Sequence, residues 1–434
     1  MRLLIKNIRT IAGIDSEKRH FRQGAEMAVT EYLNDAWLYV ENGIIKDYGT
    51  GEFNDIESES IIEYDAGGGM VLPSFCDSHT HLVYAGSREG EFVDKIRGLS
   101  YAEIARRGGG ILNSADHLHE LTEDELYEQA KLRVSEIIHK GTGAVEIKSG
   151  YGLNTEDELK MLRVIRRIKD TTPLKVVSTF LGAHAVGRAY SGRQSDYVDL
   201  VVNEMIPEVG RQHLADFIDV FCDKGFFTPE ETSRILEAGA KFGLRPKIHG
   251  QELADSGGVE VALRYHALSV DHLESMTDSD IKLLQRHYDS ISTSSEVSCN
   301  SVTMPTALPG TSFFLNMPYA PARKIIDKGL PLAIASDYNP GSTPSGDMKF
   351  VMSLACIKMR MMPVEAFNAA TLNSACAMGL SSEYGTITKG KVANFLITEP
   401  VPSLDFIPYA YTTPLIKEVF LRGNRLSAFT KRSD

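Results

Sequence analysis

Cysteine is sparse in this 434-residue chain: Cys76, Cys222, Cys299, Cys356 and Cys376 are odd in number, scattered, and never spaced Cys-x-x-Cys. That pattern excludes a disulfide framework and a zinc ribbon, and reduced thiols are expected. Basic runs are missing as well. With 58 acidic against 46 basic residues the net charge is −12, ill suited to a polyanion, so no nucleic-acid partner is expected. There is no long uncharged apolar span, and charges interrupt the opening Met1–Arg9 too often for a secretion signal. A cytoplasmic protein with no membrane partner follows as the expectation. No internal repeat or low-complexity linker divides the chain.

What is present falls into three zones. From 1 to 70 the pattern is β, with Ala36–Val40 and Ile44–Tyr48 flanking Glu41-Asn42-Gly43, a hairpin signal. From 71 to 379, apolar strand-like runs alternate with amphipathic stretches such as Asp157–Ile168, the rhythm of parallel βα units. That length and rhythm predict a (β/α)8 TIM barrel. From 380 to 434 short strands return, including a hairpin over Val419–Leu426. Because chain termini commonly lie close together, the segments 1–70 and 380–434 are expected to form one composite β-sandwich domain beside the barrel. Ser292–Ser295 reads as a surface loop.

The apolar run Met70–Cys76 ends at Asp77-Ser78-His79-Thr80-His81. Read as a buried strand, it delivers two imidazoles to one face, since residues i and i+2 project together. A second pair, His117 and His119, precedes the acidic stretch Leu121–Leu126 and reads as an ordinary surface pair. Other strand-like runs end at Lys148-Ser149-Gly150-Tyr151, at His184, at His249, at His272 and at Asp337, the end at which a barrel keeps its active site. Singly, such residues are caps or hydrogen-bonded structural groups. Together His79, His81, His249 and Asp337 supply three imidazoles and a carboxylate, a set suited to zinc or iron with room for water. His184 and His272 remain as supporting or substrate groups.

Those residues resemble the set of the amidohydrolase superfamily, whose members are barrels with a β-sandwich built from both chain ends. The resemblance narrows at Asp77–Arg88, Gly108–Ile111, Glu146–Leu153, Phe180–His184, Asp219–Gly225, Asp271–Glu274 and Ser336–Gly341. These segments are similar to the branch that opens the lactam of 4-imidazolone-5-propanoate, giving N-formimidoyl-L-glutamate in histidine degradation. The resemblance implies one divalent or trivalent ion per chain, zinc or iron, held by His79, His81, His249 and Asp337. It implies a substrate site of Arg88, Tyr151, His184, Glu252, Asn339, Gly341 and Ser342, the last a serine where many relatives have threonine. It also implies a homodimer acting on a small molecule.

The expected chemistry is attack of a metal-activated water on the ring carbonyl, with Glu252, His272 and Asp337 as catalytic groups for proton transfer and oxyanion stabilisation. Arg88 is suited to the propionate tail, because a guanidinium grips a carboxylate with two charge-assisted hydrogen bonds; the competing reading is an ion pair with Glu89 or Glu91. Tyr151 and Asn339 offer polar groups to the ring or cap loops, and Gly341 admits close approach or makes a turn. Lys148 does not stand at the strand end where some relatives bridge two metals, so one ion is expected. The alternatives are a deaminase or cyclic-amide hydrolase acting on another heterocycle, and a noncatalytic scaffold that has lost part of the ligand set.

Overall fold

The computed structural model describes residues 1–54, 61–99, 103, 109–292 and 298–426. Gly108 of the glycine run, and residues 293–295 of the serine-rich loop reading, lie outside the described residues, while Ser292 ends the helix Asp278–Ser292.

Sixteen strands run through the described residues. The first five are β1 (Arg2–Ile14), β2 (Glu31–Glu41), β3 (Ile44–Thr50), β4 (Ile62–Asp65) and β5 (Met70–Pro73). Eight follow: β6 (Phe75–Asp77), β7 (Thr142–Lys148), β8 (Lys175–Ala183), β9 (Phe217–Cys222), β10 (Arg245–Gly250), β11 (Ser269–His272), β12 (Met304–Ala307) and β13 (Ala333–Ile334). The last three are β14 (Phe395–Thr398), β15 (Ile416–Leu421) and β16 (Asn424–Arg425).

The two chain ends build one mixed sheet of order β16-β15-β14-β5-β1-β2-β3, with β4 beside β1. The β2–β3 hairpin turns at Asn42 and Gly43, whose φ of +51° and +79° match the two left-handed positions of the tight turn that strand twist favours. Ile5, Ile11, Leu38, Val71, Phe395 and Phe420 form this sheet's own apolar cluster.

Strands β6 to β13 pair in sequence order, all parallel, with helices between them. Both faces are covered, so the strands read as apolar throughout; every residue of β7 is buried, Glu146 and Lys148 included. The helix Thr155–Thr171 shows the exchange of sequence for packing. Asn154 caps it by accepting from the Asp157 N–H at 2.9 Å, and Leu159, Leu162, Ile165 and Ile168 bury one stripe of it.

First and last barrel strands meet across a seam made by the Asp77 side chain and by backbone bonds past the strand ends. Asp77 accepts from the Ser336 N–H at 2.9 Å and from its hydroxyl at 2.6 Å. Beyond the strands, Asp337 N–H donates to His79 O at 3.0 Å, and His81 N–H to Tyr338 O at 2.9 Å.

The run Met70–Cys76 is not the single strand expected. Residues Met70–Pro73 pair with β1 and β14 in the terminal sheet, and the chain then crosses at Ser74 to start the barrel. Proline at 73 removes a ladder donor where the strand changes partners. The barrel strand ends at Asp77, so the two histidines stand past its tip on extended backbone, held by the isolated Thr80–Tyr338 bridge. His117 and His119 are exposed, on the helix Ile111–Glu120. No helix among the described residues is long and apolar enough to cross a membrane.

Candidate active site

The strand ends converge as a parallel barrel requires. One imidazole nitrogen from each of His79, His81 and His249 lies within 4.8 Å of the others, all three residues buried. Asp337 Oδ1 stands 3.6 Å from Nε2 of both His79 and His81. Two of the imidazoles are aimed from behind by carboxylates. His79 Nδ1 lies 2.7 Å from Asp271 Oδ2, and His249 Nδ1 lies 3.0 Å from Asp219 Oδ2. At His79 the hydrogen bond to Asp271 fixes the proton on Nδ1 and turns the Nε2 lone pair inward. Nε2 of both rings is buried without a hydrogen-bond partner, which a cation between them would resolve. The donor set therefore fits a metal ion.

Backbone strain gathers at the same place. Gln251, His272, Leu273 and Asp337 hold φ of +58°, +90°, +74° and +54°, left-handed conformations costing roughly 1–2 kcal/mol for a residue with a Cβ. All four lie at or just past barrel strand ends, where strain of this kind marks functional sites.

Above the imidazoles opens a cleft of about 570 Å³. Arg88, Tyr151, His184, Glu252, His272, Asp337, Asn339, Gly341 and Ser342, the site residues expected beyond the histidine ligands, all line it, as do His81 and His249. Tyr151 packs with its ring centroid 5.8 Å from His81 and 5.4 Å from His184. At the mouth, Phe92 stacks on Phe314 with centroids 5.3 Å apart, and Lys95 Nζ donates to Gly341 O at 2.8 Å.

The amidohydrolase family profile matches residues 70–426. The chain belongs to the amidohydrolase family. A protein of Christiangramia forsetii named imidazolonepropionase is 51% identical over 424 residues, covering 98% of this chain and 99% of that one. One of Flavobacterium johnsoniae with the same name is 50% identical over 421 residues, covering 97% and 98%. The Escherichia coli guanine deaminase structure superposes with a TM-score of 0.72 at 12% identity, covering 98% and 99% of the two chains, a likeness of fold. Amidohydrolases are metal-dependent, and the histidine triad is placed for that ion.

In this amidohydrolase, burial first, with Lys148 and the neighbouring imidazoles adding to it, holds His79 well below its ordinary pKa. His81 is lowered in the same way, by burial and then by His184 and His249. Neutral rings are the ligating form. Burial, helped by His249, pulls His184 down to about 3, and its Nδ1 lies 3.0 Å from Gly150 O. His272 goes the other way: burial opposes its charge, but Glu252, Glu274 and Asp337 outweigh burial and raise it to about 10. Burial pushes the Glu252 carboxyl up, and the charge on neighbouring His272 pulls it back towards the ionised form.

Three expected residues have their contacts divided. The Arg88 guanidinium lines the cleft and also bonds Glu91 at 2.6 Å, so the ion pair forms without taking Arg88 out of the cleft. Asn339 spends its amide within the loop: Oδ1 accepts from the Gly341 and Ser342 N–H groups at 2.8 Å each, and Nδ2 donates to Asp337 O and Ser342 Oγ. Ser342 Oγ in turn lies 3.2 Å from Asp337 Oδ2, which also accepts from Thr311 at 2.5 Å.

Residue-type reasoning missed Asp219 and Asp271 as holders of the imidazoles, and Lys95 at the mouth. The signal for the first two was a carboxylate inside an apolar parallel strand, which has no solvent face to explain it. Lys95 gave no such signal.

Proposed function

We propose that this protein hydrolyses 4-imidazolone-5-propanoate to N-formimidoyl-L-glutamate in histidine degradation. The observation that carries the reading is 50–51% identity, over nearly the full length of both chains, to relatives named imidazolonepropionase. The cleft suits that substrate: a cationic mouth for an anionic tail above a metal-ligand set for a cyclic amide.

His79, His81, His249 and Asp337 would hold one ion, zinc or iron. When bound, such an ion lowers the pKa of a coordinated water towards neutrality and polarises a carbonyl. The protein's own groups supply the rest. Arg88 takes the propionate carboxylate, with Lys95 beside it adding a second positive charge. Tyr151 and His184 flank the ring, the neutral imidazole presenting Nε2 to its polar edge. His272, kept charged by Glu252 and Glu274, faces the place where the carbonyl oxygen gains negative charge. Glu252 or Asp337 takes the proton from water as its oxygen adds to the carbonyl carbon. The ring C–N bond then breaks as the same carboxyl returns its proton to the departing nitrogen, which remains in the formimidoyl group, and the carbon becomes a carboxylate.

The test is loss of freshly generated 4-imidazolone-5-propanoate, corrected for spontaneous decay, with the product identified by mass. Formation of N-formimidoyl-L-glutamate by the parent and its absence in His249→Ala, with metal content measured for both, is expected. No turnover by parent protein holding about one ion per chain overturns the substrate and moves the activity to another cyclic amide or amidine.

A further inference from the structure

Beneath the imidazoles, on the side away from the cleft, lies a layer of five charged side chains: Glu146 and Lys148 from β7, Asp219 from β9, Lys247 from β10 and Asp271 from β11. All five side chains are fully buried, and none lines the cleft. Lys148 Nζ lies 2.5 Å from Glu146 Oε1 and 2.7 Å from Asp219 Oδ2. Lys247 Nζ bonds the other oxygen of Glu146 and stands 3.8 Å from Asp271. The same ammonium donates to Ser78 O at 2.9 Å, next to His79. Glu146 thus joins both lysines, and the two aspartates carry the layer's influence to His249 and His79.

Within the layer itself three carboxylates face two ammonium groups, one negative charge in excess and sealed from water, and the nearest further cation, His272, stands beyond the ligand imidazoles with its own partners Glu252 and Glu274. An uncompensated buried charge is costly unless an opposite charge is supplied nearby. The open position for one is between the inward-turned Nε2 atoms of His79 and His249, both buried and without a hydrogen-bond partner.

We propose that this layer is the built-in counter-charge for the metal ion, with Glu146, Lys148 and Lys247 as positioning residues that act through Asp219 and Asp271. It rests on the metal reading above, and not on the identity of the substrate. Removing negative charge from the layer weakens metal binding; removing positive charge strengthens it. A layer that merely fills the barrel would instead lower stability with and without metal alike, whichever charge is lost.

The experiment uses full-length protein stripped of metal, Zn²⁺ titrated against a competing chelator, and melting temperatures with and without zinc. Glu146→Gln is expected to weaken zinc binding ten- to hundredfold, the range for partners behind a ligand, while the metal-free melting temperature holds. Glu146→Asp, which keeps the charge, is expected to stay within threefold of the parent. Lys148→Met is expected to lower the metal-free melting temperature, to enlarge the gain on adding zinc, and to bind zinc at least as tightly as the parent. Zinc affinity of Glu146→Gln within threefold of the parent overturns the proposal, as does a loss of affinity in both Glu146→Gln and Lys148→Met. If Lys148→Met does not fold, the Gln and Asp variants at 146 decide alone. A parent that binds no zinc overturns the metal reading as well, and is told apart by that.

Discussion

Gly341→Ala tests the seat of the substrate tail without touching a charged group. A Cβ built on Gly341 would stand 2.2 Å from Arg88 Nη1 and 2.6 Å from its Cζ. Ordinary contact needs at least 3.4 Å, so the guanidinium must retreat by about 1 Å. The atoms in the way are the end of a flexible side chain, and the glycine's own φ is not in the left-handed region, so folding should survive. What is lost is aim. A charge-assisted hydrogen bond contributes roughly 1.5–3 kcal/mol, about 10- to 150-fold in affinity when the geometry fails. The expected result is a KM raised by about tenfold or more, with kcat changed far less and one ion still bound per chain. Arg88→Lys should move KM the same way, because an ammonium cannot reproduce the fork. Steady-state kinetics on 4-imidazolone-5-propanoate, alongside metal content and a melting curve, provide the check. A KM within twofold of the parent in both variants would refute tail binding by Arg88, and a fall in kcat alone would place Gly341 in the loop that carries Asp337 instead.

The other expectations are simpler to state. Glu252→Gln with its ion retained should lower kcat by about 100-fold, the lower range for a general base; an unchanged kcat leaves proton transfer to Asp337. Ile165→Ala empties a fully buried position on the helix Thr155–Thr171 and should cost about 2–5 kcal/mol, read as a lower melting temperature with KM intact. Lys391 offers a pH test remote from the cleft. Burial pulls its ammonium down to about 8 against the pull of Asp15, although it donates to Ser381 O at 2.6 Å and Tyr384 O at 3.2 Å. Between pH 8 and the ordinary lysine value of 10.5 the folded protein binds fewer protons than the unfolded chain, so this contribution grows as pH rises and is lost as pH falls through 8. In Lys391→Met the rise in stability between pH 8 and 10 should shrink; a profile superimposable on the parent's would refute the assignment.

The barrel and the convergence of the candidate ligands were legible because parallel strands advertise themselves as apolar runs, and their ends are where chemistry collects. His184, His249 and Asp337 each close such a run, and the helix Thr155–Thr171 was visible from its stripe. The split at Ser74 was not legible: Met70–Cys76 is apolar throughout, and an apolar run does not say that its first half belongs to one sheet and its second half to another. Nor did spacing reveal the partners behind the imidazoles. Asp271 lies 192 positions from His79 and meets it only when the barrel closes, whereas Asp219, 30 positions before His249, meets it through the pairing of β9 with β10. Asn339 shows the opposite limit. Its residue type suited either the ring or the loop, and the structure gives its amide to the loop.

The seam between the barrel's two outermost strands sets the order in which the protein becomes competent. His79 follows the first of those strands and Asp337 the last, with more than half the chain between them. A chain emerging from synthesis therefore carries its first two imidazoles long before the carboxylate that must face them exists. An ion held by both residues would be a clasp across the final joint, and its capture would report that the whole barrel has been assembled.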